Sequence, residues 1–138
     1  MPAKDIYHNT VRAALEKDGW TITDDPLKLK WGIRELFIDL GATKLLAAQK
    51  GEQKIAVEIK SFINASPVTD LESALGQYIL YRNVLEEIDR ERVVYLAVRQ
   101  ATYREIFSEP IGNLVIQKNE LCLLVFDPQE EVIVQWLN

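Results

Sequence analysis

Apolar residues recur along this chain with two different periods, and the period predicts the element. Between Asp5 and Asp18, Ile6, Val11, Ala14 and Leu15 form one stripe, which predicts a helix stopped by Gly19. Trp20–Thr23 predicts a short strand, and Asp24-Asp25-Pro26 a turn. Leu29–Ile33 fits neither period. Glu35–Gln49 and Gln53–Phe62 predict a hairpin around Lys50-Gly51-Glu52. Asn64–Asp70 reads as a loop, with Thr69 or Asp70 capping the helix that follows. That helix, Leu71–Ile88, is the longest, with Leu71, Leu75, Ile79, Leu80, Val84, Leu85 and Ile88 as its apolar positions. Val93–Val98 is nearly all apolar, as expected of a strand covered on both faces. Thr102–Phe107 predicts a helix that Ile111–Gln117 continues or follows. Leu121–Asp127 and Glu131–Trp136 predict a closing hairpin over Pro128-Gln129-Glu130. The order α-β-β-β-α-β-α-β-β predicts an α/β fold over residues 1–138, one mixed sheet with helices on its faces.

Candidate chemistry concentrates on the strand ending Val57-Glu58-Ile59-Lys60. Glu58 and Lys60 are two apart, so on a strand both side chains leave the same face, while Ile55, Val57 and Ile59 leave the other. Asp39 offers a second carboxylate. Gln77 and Tyr81 are four apart and share a helix face. Hard cations such as magnesium take one or two carboxylates together with water and substrate phosphate, and an adjacent ammonium suits developing negative charge. The string D…ExK followed by QxxxY therefore has the parts of a metal-dependent phosphodiesterase site. Taken singly, Glu58 and Lys60 also fit the solvated face of an antiparallel sheet, and Gln77 and Tyr81 an ordinary amphipathic helix. The hairpin drawn around Gly51 puts residue 44 opposite Glu58. Asp39 then lies about 16 Å away along an ideal strand, unless a bulge or break near Gly41 closes the gap.

Composition narrows the alternatives. Apolar residues make up 48% and charged residues 27%, a globular profile. No apolar run approaches the ~20 residues of a membrane-spanning helix, and the first residues lack the apolar core of a signal peptide, so a cytoplasmic location is expected. One cysteine, Cys122, and one histidine, His8, exclude the common zinc frameworks and leave Cys122 as a core thiol. Gly-rich phosphate loops are absent. The net charge is −5, which is unfavourable for a free-standing DNA binder. It is uneven, however: residues 1–60 hold 10 Lys/Arg and 9 Asp/Glu, and residues 61–138 hold 6 and 12. Lys28, Lys30, Arg34, Lys44, Lys50, Lys54 and Lys60 fall near the candidate site in sequence as a local basic rim. Val132, Val134 and Trp136 form one alternating apolar face, for the core or for a partner.

The helix, the hairpin ending in ExK and the QxxxY helix resemble the PD-(D/E)xK nuclease superfamily. More narrowly, Ile38-Asp39-Leu40-Gly41-Ala42, Lys54-Ile55-Ala56-Val57-Glu58-Ile59-Lys60-Ser61-Phe62 and Gly76-Gln77-Tyr78 resemble the XisH family, the fdxN-element excision controlling factors of cyanobacteria. The resemblance implies a restriction-endonuclease-like mixed sheet flanked by helices and a role in programmed removal of a DNA element. It implies Asp39, Glu58 and the Ile59 carbonyl as ligands of Mg2+ or Mn2+, Lys60 as catalytic lysine, and Gln77 and Tyr81 completing the site. DNA is the implied substrate, with a XisI-like companion protein and a separate site-specific recombinase as partners. A homodimer is an expectation as well, since one small domain covers few base pairs. Many superfamily members carry a glutamate on the first helix. Here that region offers His8, either a ligand or phosphate contact or an exposed helical histidine. His8, Lys44 and Lys54 are the candidate nucleic-acid contacts.

Overall fold

A computed structural model describes residues 4–46 and 51–138. Helix α1 (His8–Lys17) leads into β1 (Thr21–Asp24), β2 (Leu27–Trp31), β3 (Arg34–Ile38), β4 (Leu40–Leu46) and β5 (Gly51–Ile59). Helix α2 (Pro67–Ile88) crosses to β6 (Arg92–Arg99). A short helix α3 (Gln100–Thr102) runs into a π-helical turn over Tyr103–Phe107, and α4 (Pro110–Asn119), β7 (Leu123–Asp127) and β8 (Val132–Leu137) follow. Six strands form one mixed sheet in the order β1-β4-β5-β6-β7-β8, while β2 and β3 form a separate two-stranded sheet. Strands β5, β6 and β7 are mutually parallel, and the other pairings are antiparallel.

The sheet is buried on both faces. Val11 and Leu15 of α1 pack with Ile55, Val57, Ile59, Tyr95 and Phe126 on one side. On the other, Leu71, Ala74, Tyr78, Tyr81 and Leu85 of α2 pack with Ala56, Val94, Leu96 and Val98, together with Leu27, Leu29 and Ile38 of the β2–β3 hairpin and Phe107 of the π turn. This double covering matches the apolar run of β6.

Several expectations change. The single strand predicted from Glu35 is two strands, β3 and β4, which part company at Asp39 and belong to different sheets. The ambiguous segment Leu29–Ile33 is the end of β2 and its turn. Trp31 pairs with Arg34 across Gly32 and Ile33, and Gly32 has φ +62. A two-residue loop with a glycine at its first position is a favoured hairpin connection. Helix α2 also begins earlier than predicted, because Ser66 accepts from the Thr69 N–H at 3.3 Å and Pro67 occupies the first turn. At the C-terminal strand, Trp136 packs on Trp20 and Tyr95, whereas Val134 is exposed. Cys122 is half-buried and not a core thiol. Among the described residues no helix is long and apolar enough to cross a membrane.

Candidate functional site

The break at Asp39 builds the site. Strand β4 starts one residue later, with Leu40 opposite Val57. The same register brings Asp39 directly opposite Glu58, which removes the predicted 16 Å gap. The reason is the position of the reversal: Gly51 is the first residue of β5, paired with Leu46, and is not part of the turn. Because β3 leaves the sheet, no strand continues β4 alongside Ile59. The Ile59 N–H instead donates to Asp39 Oδ2 at 2.7 Å, and the Asp39 N–H donates to Glu58 Oε1 at 3.3 Å. The N–H and C=O of one strand residue point to the same side, so the Ile59 carbonyl faces that gap too. The carboxylates thus meet at the carboxyl end of a central parallel strand, where open α/β sheets place their ligand crevices.

Glu58 leaves the α2 face of β5 and is only 6% exposed, so the solvated-face alternative does not hold. Burial, and then the Asp39 charge beside it, push the Glu58 carboxyl up to about 8, against the pull of Lys60. Burial also raises Asp39 above its ordinary value, despite the bond from the Ile59 N–H. Lys60 Nζ lies 4.0 Å from Glu58 Oε2, a loose ion pair. Tyr81 is buried on α2, and its hydroxyl is raised by burial and then by the fields of Glu58 and Asp39, so it stays protonated beside them. Gln77 lies one helical turn before Tyr81, and its Oε1 is buried with no hydrogen-bond partner among the described residues.

Asp5 was not foreseen as part of this site. It precedes α1, its Oδ2 accepts from the Ser61 N–H at 3.1 Å, and its charge reaches Asp39. With Lys60, Ser61, Asn64, Asp70 and Ser73 it lines a polar cavity of about 190 Å³. The helix predicted from Asp5 begins at His8. An acidic residue just ahead of the first helix was the only sequence signal.

The remaining candidates lie elsewhere. His8 is buried, with its Nε2 2.6 Å from Asp25 Oδ1, and Arg12 holds the other oxygen of Asp25 at 2.5 Å. It ties α1 to the turn before β2, although its field still reaches Asp39. Lys44 is paired with Asp18 and sits over Trp20, and Lys54 is paired with Asp89 at 2.7 Å. They lie five and four strand positions from Asp39 and Glu58, roughly 16 and 13 Å, so the fold does not bring them to the carboxylates. Lys50 lies outside the described residues. Among the described residues no group of three or more His, Cys, Asp or Glu side chains is placed to hold a metal ion. The centre of the site is two carboxylates, a backbone edge and an ammonium, with Asp5 at the rim.

A sequence model described as "XisH protein" matches residues 1–134. The chain belongs to the XisH family. A crystal structure of an XisH family protein from Nostoc punctiforme PCC 73102 is similar to it with a TM-score of 0.88 and 41% identity, covering 97% of this chain and 100% of that one. The crystal structure of a fdxN element excision controlling factor protein from Anabaena variabilis is similar with a TM-score of 0.88 and 42% identity, covering 98% of this chain and 100% of that one. No curated protein matches. The XisH assignment agrees with the resemblance carried by the residues around Asp39, Glu58 and Gln77, and the six-stranded mixed sheet flanked by helices bears out the expected α/β class.

Proposed function

We propose that this XisH-family chain hydrolyses DNA phosphodiester bonds with a divalent cation, on a PD-(D/E)xK-like scaffold, in the excision of a DNA element. The observation that carries the reading is the pairing of Asp39 with Glu58 across the end of β4 and β5, beside Lys60.

The residues fit a hard cation. Buried Glu58 and half-buried Asp39 lie together with Lys60 4.0 Å from Glu58 Oε2, and burial, then the Asp39 charge, raise the Glu58 carboxyl. The donors are all oxygen, the set that suits Mg2+ or Mn2+. Asp39, Glu58 and the Ile59 carbonyl would hold the ion, which supplies positive charge to the phosphoryl oxygens when bound. Lys60 stabilises negative charge developing on the phosphate. Tyr81, kept protonated by its surroundings, presents a hydroxyl donor. The unpartnered Gln77 Oε1 is available to orient a water or the lysine.

The test is supercoiled plasmid incubated with Mg2+ or Mn2+ and followed for nicked and linear forms. Lys60→Ala is expected to slow cleavage by about 10²–10³-fold. Activity that survives this change belongs to another site or another protein. The net charge of −5 favours a second reading, in which the scaffold acts through a XisI-like companion and a separate recombinase cuts. Excision that continues unchanged with Glu58→Ala would select that reading.

A further inference from the structure

The β2–β3 hairpin stands apart from the main sheet, and its two ends have opposite character. At its base Leu27, Leu29 and Ile38 are buried against α2. At its tip Trp31 is 53% and Ile33 92% exposed. Of the other two tryptophans, Trp20 is buried and Trp136 half-buried, and they pack on each other. Arg34 pairs with Trp31 on one face of the ribbon, and Lys28 and Lys30 leave the other face together with one carboxylate, Glu35. Lys28 pairs loosely with Glu35 at 3.7 Å, while Lys30 and Arg34 enter no ion pair among the described residues. A cationic finger on a chain of net charge −5 is a local inversion of sign. Gly32 at the apex meets open space, so nothing crowds an approaching surface.

The hairpin is also joined to the chemistry. Its last residue, Ile38, is followed at once by Asp39. From Ile38 to Arg34 is four strand steps, about 13 Å, or about four base pairs of duplex.

We propose that this hairpin grips duplex DNA: Trp31 and Ile33 form an apolar wedge against the bases in a groove, and Lys28, Lys30 and Arg34 neutralise the flanking phosphates. A two-stranded ribbon fits a DNA groove, apolar side chains inserted at base steps anchor groove binders, and cations placed around them supply salt-dependent affinity. The inference rests on the DNA-directed reading above, and it adds the element that holds the substrate near Asp39.

Binding is measured by anisotropy of a short fluorescein-labelled duplex, with EDTA present so that cleavage plays no part. The parent chain is expected to bind at low salt, with its tryptophan emission quenched by the duplex. Trp31→Ala combined with Ile33→Ser weakens binding about tenfold or more and abolishes most of the quench. Lys30→Ala with Arg34→Ala lowers the slope of log affinity against log salt by about two. All four side chains are exposed, so the variants keep the parent's thermal unfolding. Parent-like affinity and salt slope in both double variants would overturn the proposal, as would a parent chain that does not bind the duplex. A dimer lost with Trp31→Ala at unchanged DNA affinity would give the tip to a second copy of the chain and overturn it too. Binding that depends on the tip without any cleavage under Mg2+ sinks the nuclease reading and leaves the hairpin standing.

Discussion

Replacing Glu58 with glutamine is expected to remove most of the loss of stability that the metal-free chain suffers as pH rises from about 4.5 to about 8. The Glu58 carboxyl is pushed up to about 8 from an ordinary value of 4.5, by burial and then by Asp39. Between those values the folded chain keeps a proton that the unfolded chain has released. The unfolded state then binds fewer protons, so stability falls with rising pH. The contribution is fully present below pH 4.5 and lost as pH climbs through 8. Asp39, also raised by burial, acts in the same direction. Glutamine keeps the shape and an oxygen for the Asp39 N–H, and carries no charge to ionise. The stability of the variant relative to the parent grows across this window by an amount on the order of a few kcal/mol. Urea unfolding at a series of pH values, in EDTA, measures it. Parallel profiles for parent and variant would show that Glu58 ionises freely and that the carboxylate pair is not coupled.

The second large effect is structural. Gly112 of α4 is buried, and a Cβ there would lie 2.1 Å from the Ile106 carbonyl oxygen and 2.5 Å from Phe107 Cα. Both contacts are backbone, in the π turn that carries the fully buried Phe107 against α2. No side chain can swing aside, so Gly112→Ala must separate α4 from the turn and loosen that side of the core. A loss of about 3 kcal/mol is expected, a large share of a small domain's stability. A loss below about 1 kcal/mol by urea unfolding would mean that the two segments do not approach so closely.

Local periodicity made much of this legible before the structure. Glu58 and Lys60 share a face because strands repeat every two residues, and Gln77 and Tyr81 share one because helices bring i and i+4 together. Neither statement needs tertiary information, and both hold. The partner of Glu58 was harder, because it depends on register. Register follows from where the chain reverses, and the glycine at position 51 drew the turn into what is the first pair of the ladder. The burial of Glu58 was likewise hidden. Alternation on β5 marks which face Glu58 leaves, while the cover comes from α2, whose packing on that face no local pattern records. The β2–β3 hairpin did have a local signal. Leu27 and Leu29 alternate on one side of Gly32 and Leu36 and Ile38 on the other, but the tip residues Trp31 and Ile33 are apolar and obscure the turn. Asp5 escaped because the helix was drawn three residues too early.

The central claim is that Asp39 and Glu58 together hold a divalent cation. Titrating Mn2+ into the chain above pH 8, where Glu58 is ionised, and following the paramagnetic signal of the free ion tests it most directly. The account predicts uptake of a single ion by the parent chain and none, at the same concentrations, by Asp39→Asn or Glu58→Gln. Equal uptake by all three, or no uptake by the parent, would contradict it.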